Sequence, residues 1–212
     1  MYPAQFFYNR HFVQIGYNIA VTARTHDLAA ISALATICLL APPATIGLST
    51  AMMAIIANLI GGIIPDIDQP TAPLWRNLPV GRYVGKVTDK LLGGHRFLTH
   101  SLLGMAITGY LIHWLLSVFR PILGSINPGY VWWAFMIGMT SHLVLDSFTK
   151  EGVPWLLPLP VKLGLPPVKS WRITSGGAIE TFGVFPALIV YNIWLYTSHY
   201  QTVLILLHQR II

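Results

Sequence analysis

Histidine and aspartate side chains recur where apolar segments of this chain meet polar ones. They are His26, Asp66, Asp68, His95, His100, His142 and Asp146. Ionisable groups are costly next to hydrocarbon, so several of them at such junctions indicate a functional site. Imidazole and carboxylate together form the common ligand set of a hydrolytic transition-metal centre. The residue types therefore predict a site for one to three divalent ions, with zinc favoured over manganese.

Two short patterns carry part of this prediction. His142 and Asp146 are four residues apart, which on a helix puts both side chains on one face, where they bind a metal together or hydrogen-bond to each other. Asp66 and Asp68 lie between Pro65 and Pro70. An extended backbone there would project both carboxylates to the same side as paired ligands, although a polar turn has the same composition.

The second pair of histidines, His95 and His100, is five residues apart. This spacing turns about 140° around a helix, so the two side chains cannot share one face of a regular helix. We expect His95 on a loop made flexible by Gly93 and Gly94, and His100 at the start of an apolar helix that Thr99 caps.

Further side chains have candidate roles around such a metal. His26 lies at the start of the first apolar segment and is a candidate ligand. Glu180 lies just before the last apolar segment. Its candidate roles are a metal ligand, an orienting group, a general base or a plain solvated acid. Asp68 and His100 are bridging ligands, orienting groups or the general base. We expect three cations to hold an anionic group of the substrate, because Arg in particular matches phosphate: Arg96, Lys169 and Arg172.

The composition predicts an integral membrane protein. Of 212 residues, 54% are hydrophobic and 9% are charged, against about 25% charged in soluble domains. The formal charge of +6 fits membrane topology and anionic headgroups better than nucleic acid, because no basic stripe stands apart from the apolar segments. The single cysteine, Cys38, cannot form an internal disulfide.

The apolar segments predict an all-α bundle of about five transmembrane helices. They run over 27–41, 44–64, 101–119, 129–148 and 182–207, and most reach the ~20 residues that cross ~30 Å of hydrocarbon. The first ends at Pro42-Pro43 and could be a half-span, and the last could bend near Ser198-His199. We expect an interfacial extension over 1–22 and one membrane domain over 23–212.

The connections between these segments predict which end faces the cytoplasm. With five spans, eleven of the 13 Lys and Arg residues lie on the side that holds the N-terminus and the loops 65–100 and 149–180. The positive-inside rule puts that side, and with it the metal site, in the cytoplasm. The 153–172 stretch contains five prolines and two tryptophans, which predicts an irregular segment in the headgroup region.

The ordered motifs resemble a known family. His26, Pro65-Asp66-Ile67-Asp68, Gly94-His95-Arg96, Thr99-His100-Ser101 and His142-x-x-x-Asp146 resemble the YdjM-type, LexA-regulated group of bacterial inner-membrane metal-dependent hydrolases. The resemblance runs from His26 to Glu180 and implies a hydrolase in the inner membrane.

A more distant resemblance concerns the order of the ligands. It is similar to the zinc-dependent phospholipase C and P1 nuclease group, which binds metal in a helical bundle and hydrolyses phosphoesters. That likeness implies the zinc ligands His26, Asp66, His95, His142 and Asp146.

We therefore expect a zinc hydrolase that acts on a membrane lipid or lipid-linked phosphoester, with no nucleic-acid partner. Two other classes remain open. A metal-ion transporter would place ligands near the bilayer midplane, whereas the candidate ligands here cluster at one edge. A non-catalytic protein with a structural metal would need four ligands, and the sequence offers seven candidates.

Overall fold

A computed structural model describes residues 10–94, 96–159 and 161–208, with side chains from residue 23 onward except that of Pro73. The α-helices are α1 (Arg10–Leu40), α2 (Leu48–Ile63), α3 (Pro73–Arg76), α4 (Gly81–Leu91), α5 (Leu102–Val118), α6 (Pro128–Ser147), α7 (Phe185–Ser198) and α8 (Tyr200–His208). Short 3₁₀ turns cover Ile64–Asp68, Arg120–Ile122 and Lys169–Trp171, and a π-helical turn covers Glu180–Val184. The described residues form no extended strand, so the all-α expectation is confirmed.

The centre of the molecule is the packing of α2 against α6, with α1 beside both. Glycines let the two backbones touch. A Cβ on Gly138 would lie 2.0 Å from the Asn58 carbonyl oxygen, and one on Gly61 would lie 2.1 Å from the Phe135 carbonyl oxygen. Buried Phe135 and Met139 fill the interior next to this contact. Because α6 cannot slide without a clash, its C-terminal turn is fixed relative to α2.

The predicted apolar segments all became helices, but not all of them qualify as membrane spans. The segments Ala23–Leu40 and Leu48–Asp68 are long and apolar enough to cross a membrane, and Leu102–Val118 is apolar but shorter. Five spans are therefore not confirmed for the described residues. The break between α7 and α8 lies at His199, as the sequence suggested.

The proposed extension over 1–22 falls entirely on residues whose side chains are not described. Residues 1–9 lie outside the described residues, and the backbone of 10–22 continues α1 without a break. The division of the chain at residue 22 stays a prediction.

The 153–172 stretch is irregular, as its prolines predicted. An antiparallel bridge pairs Val153 with Leu163, and the Leu165 amide donates to the Ser147 carbonyl at 2.7 Å. The Leu102 amide donates to the Trp155 carbonyl at 3.1 Å. The stretch is thus attached to the end of α6 and the start of α5.

Two local predictions were wrong. Asp66 and Asp68 lie in a 3₁₀ turn rather than an extended segment, because Pro65 fits the first turn of a helix and continues α2. Thr99 does not cap α5. The Ser101 hydroxyl does so by accepting from the Gly104 amide at 3.0 Å.

Candidate metal centre

Four elements bring the predicted ligands to one end of the bundle. The carboxyl half of α6 carries His142 and Asp146 on one face, as their spacing predicted, and α1 presents His26. The 3₁₀ turn after α2 supplies Asp66, and the loop before α5 supplies His100. His100 and His142 are at most 1% exposed, whereas the Asp66 side chain is 25% exposed.

These side chains form two groups of potential ligands that share His142. The first is His26, His142 and Asp146, and the second is Asp66, His100 and His142. Within each group the potential ligand atoms lie within 4.8 Å of one another. His142 Nε2 is 3.6 Å from both Asp66 Oδ1 and Asp146 Oδ2. His100 Nε2 is 3.3 Å from Asp146 Oδ2, and His26 Nε2 is 3.5 Å from Asp146 Oδ1.

The other ring nitrogens of two histidines are held by outer partners. His142 Nδ1 lies 2.6 Å from the Gly62 carbonyl oxygen, which fixes it as the protonated nitrogen of the neutral ring. His100 Nδ1 lies 3.0 Å from Thr99 Oγ1 and 3.5 Å from Asp68 Oδ2. Such partners are usual behind metal-binding histidines, because they orient the ring and raise its basicity. Both Nε2 atoms consequently point toward the carboxylates.

Asp68 was predicted as a metal ligand, but it is not a member of either group. Its side chain is fully buried behind His100, where Oδ2 accepts hydrogen bonds from the Arg96 amide and the Thr99 hydroxyl. This position suits the orienting role that the sequence left open for it.

Arg96 is part of the interior and not of an open anion site. Its side chain is 6% exposed, Nη2 donates to Asp146 Oδ1 at 2.7 Å, and Nη1 donates to Thr149 Oγ1 at 2.7 Å. The backbone of Arg96 has a φ of 59°, a conformation that is uncommon outside glycine. The guanidinium therefore holds one oxygen of Asp146 and leaves Oδ2 directed at the histidines.

The electrostatics of the cluster favour positive charge. Burial by itself lowers the pKa of His100, but the neighbouring carboxylates of Asp146 and Asp68 outweigh that effect and raise the pKa to about 9. The carboxylates that hold a proton on this ring would also stabilise a bound cation.

The residues present fit a divalent metal. His142 Nε2 and Asp146 Oδ2 are buried and have no hydrogen-bond partner among the described residues, whereas nearly all buried polar atoms in proteins have one. Imidazole nitrogen and carboxylate oxygen are both good zinc ligands. A metal bound here would satisfy both atoms.

A cavity of about 310 Å³ leads to this cluster. His26 and Asp66 line it together with Asp27, Gly62 and Asn77. Asp66, the most exposed member of the ligand groups, thus faces the space through which a small group could reach the site.

The remaining predicted residues lie elsewhere. His95 is outside the described residues. Glu180 is buried, accepts from the Gly176 amide at 2.7 Å and lines a separate cavity of about 250 Å³ on another side of His26. Lys169 is exposed, and Arg172 donates to the Pro166 and Pro167 carbonyls at 2.7 and 3.0 Å.

Sequence reasoning missed three contributors to the site. They are the Gly62 carbonyl, the Thr99 hydroxyl and the Thr149 hydroxyl. Every residue has a backbone carbonyl, so the sequence does not indicate which one binds a histidine. Threonine is common near helix ends, so its presence there does not indicate a functional role.

The sequence places this all-helical chain in a class of inner membrane proteins. The chain belongs to the YdjM inner membrane protein family, whose model matches residues 21–207. It is 34% identical over 120 residues to the uncharacterized protein YvsG of Bacillus subtilis (strain 168), covering 57% of this chain and 66% of that protein.

A second relative carries the family name. The chain is 31% identical over 133 residues to inner membrane protein YdjM of Escherichia coli (strain K12), covering 63% of this chain and 61% of that protein. The chain thus spans somewhat less than two thirds of the length of these relatives. No solved structure matches it.

Proposed function

We propose that this protein is a membrane-bound, metal-dependent hydrolase that cleaves a phosphoester of a lipid or lipid-linked molecule at the cytoplasmic face of the inner membrane. The observation that carries the proposal is the pair of ligand groups joined by His142 at the end of the bundle. Membership of an inner membrane family supports the location.

The residues of the cluster have different proposed roles, which depend on where each one lies. A divalent ion held by His26, Asp66, His100, His142 and Asp146 would supply Lewis-acid activation of water and of the scissile group. Asp68 keeps the His100 ring in place from behind, and Arg96 does the same for Asp146. Asp66 borders the cavity and is the most exposed member of the cluster, so its carboxylate is the group best placed to accept a proton from an attacking water.

The surroundings of the site suit an amphiphilic substrate. A third pocket, of about 580 Å³, lies between α6 and the 153–172 stretch, with Phe148, Trp155 and Leu163 as apolar walls and Lys162 and Arg172 as cations. Large apolar side chains on α5 and α7, among them Trp114 and Trp194, are more than half exposed, as on a surface that faces lipid.

The structure argues against a transporter. The ligands sit at one end of α2, and the opposite end lies 16 residues away, about 24 Å along the helix. Between the two ends, Phe135, Met139 and Leu143 fill the interior with buried apolar side chains, and the buried Asn58 amide is held by the Ala134 carbonyl at 3.0 Å. A purely structural metal is also disfavoured, because five potential ligands with one side open to a cavity exceed the four of a closed site.

The test is to measure metal and activity on the same detergent-purified protein. Wild type should hold at least one zinc or manganese per chain by elemental analysis and release phosphate or a headgroup from a panel of phospholipids and polyprenyl phosphates. His142→Ala should lose both. Metal-free wild type after gentle purification and metal add-back would remove the basis of the proposal, and bound metal without hydrolysis of any phosphoester would favour the structural role.

A further inference from the structure

The helix α4 presents an apolar face that no described part of the protein covers. Tyr83, Val87 and Leu91 are 71%, 56% and 76% exposed, and Val84 is 46% exposed. At 100° per residue these four side chains fall within about 100° of arc. Such a stripe of large apolar groups is unusual on a water-facing helix and marks an interaction surface.

The opposite face of α4 is fixed to the protein. A Cβ on Gly81 would lie 2.1 Å from the Trp75 carbonyl oxygen, and one on Gly85 would lie 2.9 Å from the Trp75 ring. Because these two residues have no side chain, the backbone of α4 packs directly against Trp75 of α3. The exposed apolar stripe is directed away from the molecule as a consequence.

Basic side chains border the stripe along one edge. Arg82, Lys86 and Lys90 are exposed and follow one another at four-residue intervals, which puts them in a row beside Tyr83 and Val87. An apolar face with a basic margin is the pattern of a helix lying in the plane of an anionic membrane surface.

We infer that α4 is an interfacial helix that inserts its apolar stripe into an anionic lipid surface, while its basic row binds the lipid phosphates. The charge complementarity of the row selects a lipid surface over an apolar protein partner. The inference does not depend on the proposed hydrolase activity.

The attachment of α4 also relates the membrane surface to the candidate metal centre. Trp75, on which α4 rests, donates from Nε1 to the Ile67 carbonyl at 3.0 Å. Ile67 lies between Asp66 and Asp68, so a lipid-bound α4 would hold the metal end of the bundle at the level of the headgroups.

The test is to measure the depth of single spin labels in the full chain reconstituted into nanodiscs. In a Cys38→Ser background, a label at Val87→Cys is compared with one at Asp89→Cys, a half-buried position on the side of the same helix that is turned away from the stripe. In bilayers with anionic phosphatidylglycerol, the label at position 87 should be accessible to oxygen and protected from a water-soluble nickel complex. The label at position 89 should be accessible to the nickel complex and less accessible to oxygen. An unfolding midpoint equal to that of wild type shows that each variant is folded.

The basic row is tested by charge reversal. Lys86→Glu/Lys90→Glu should expose position 87 to nickel, since each basic residue near an anionic surface contributes a factor of about five to association. Lys150→Glu/Lys169→Glu changes the net charge equally and should leave position 87 protected.

Three outcomes would overturn the inference. One is a label at position 87 that is open to nickel in anionic bilayers. Another is a label at position 87 that neither oxygen nor the nickel complex reaches, which would mean that protein, such as a second copy of the chain, covers the stripe. The third is a label at position 87 that lies at the same depth in anionic bilayers, in zwitterionic bilayers and in the charge-reversed variant.

Discussion

In the candidate metal centre, His142 belongs to both ligand groups, whereas His26 and His100 belong to one each. We therefore expect His142→Ala to weaken metal binding most, by more than the ~10–100-fold that loss of an outer-sphere partner produces, and His26→Ala to have a smaller effect. Elemental analysis and competition with a zinc chelator measure this. His113→Ala is the matched control, because His113 lies on α5 against the Trp132 ring, and unchanged metal in all three variants would contradict the assignment.

A substitution at Asp68 distinguishes a group that orients a ligand from a residue that binds the metal itself. It touches His100 from behind, 3.5 Å from Nδ1, so Asp68→Asn should keep the metal but weaken its affinity about 10–100-fold. Asp89→Asn on α4 makes the same chemical change away from the cluster and should leave the affinity unchanged. An Asp68→Asn protein that retains no metal at all would instead identify Asp68 as a ligand.

At the scale of elements, the site depends on how closely α2 approaches α6. The Gly62 carbonyl that holds His142 is on α2, while His142 itself is on α6. We expect Gly138→Ala to force the helices apart, because its Cβ would overlap the Asn58 carbonyl. The free energy of unfolding should fall by about 1–3 kcal/mol, as for other overpacking changes, and metal affinity should fall with it.

Thermal unfolding in detergent, followed by a metal titration, checks this expectation. Gly47→Ala is the control, since Gly47 caps the far end of α2 with an ordinary φ of −67° and the nearest atom to its added Cβ is 4.0 Å away. Equal stability of the two variants would show that α2 and α6 are not packed through Gly138.

At the scale of the whole molecule, the two ends of the bundle differ in chemistry. The metal end carries the basic loops, and the other end joins α2 to the 120–128 connection, where the Asn127 amide donates to Thr50 Oγ1 at 3.0 Å. We expect the metal end to face the cytoplasm, because basic loops are retained there.

Cysteine labelling in cells measures this orientation. In a Cys38→Ser background, Ser125→Cys should react with a membrane-impermeant maleimide in spheroplasts, and Glu151→Cys should react only after lysis. Both positions are exposed, so access is decided by the membrane. The reverse pattern would place the site in the periplasm, and labelling of both in spheroplasts would put both connections there.

The sequence alone determined the apolar helices and most of the residues in the candidate cluster. Long apolar segments can satisfy their backbone groups only as helices in or near lipid, and the four-residue spacing of His142 and Asp146 put them on one face because a helix has a fixed pitch. The family followed from the same ordered motifs, since the chain belongs to it over residues 21–207.

Tertiary structure decided how those residues are used. The sequence could not show that Arg96 turns inward to Asp146, that Asp68 stands behind His100, or that Gly62 holds His142, because each of these contacts joins residues at least 32 positions apart. The amphipathic pattern of α4 is present in the sequence, but only packing on Trp75 fixes which face stays open. Distant contacts depend on the angles at which helices pack, and local residue patterns do not determine those angles.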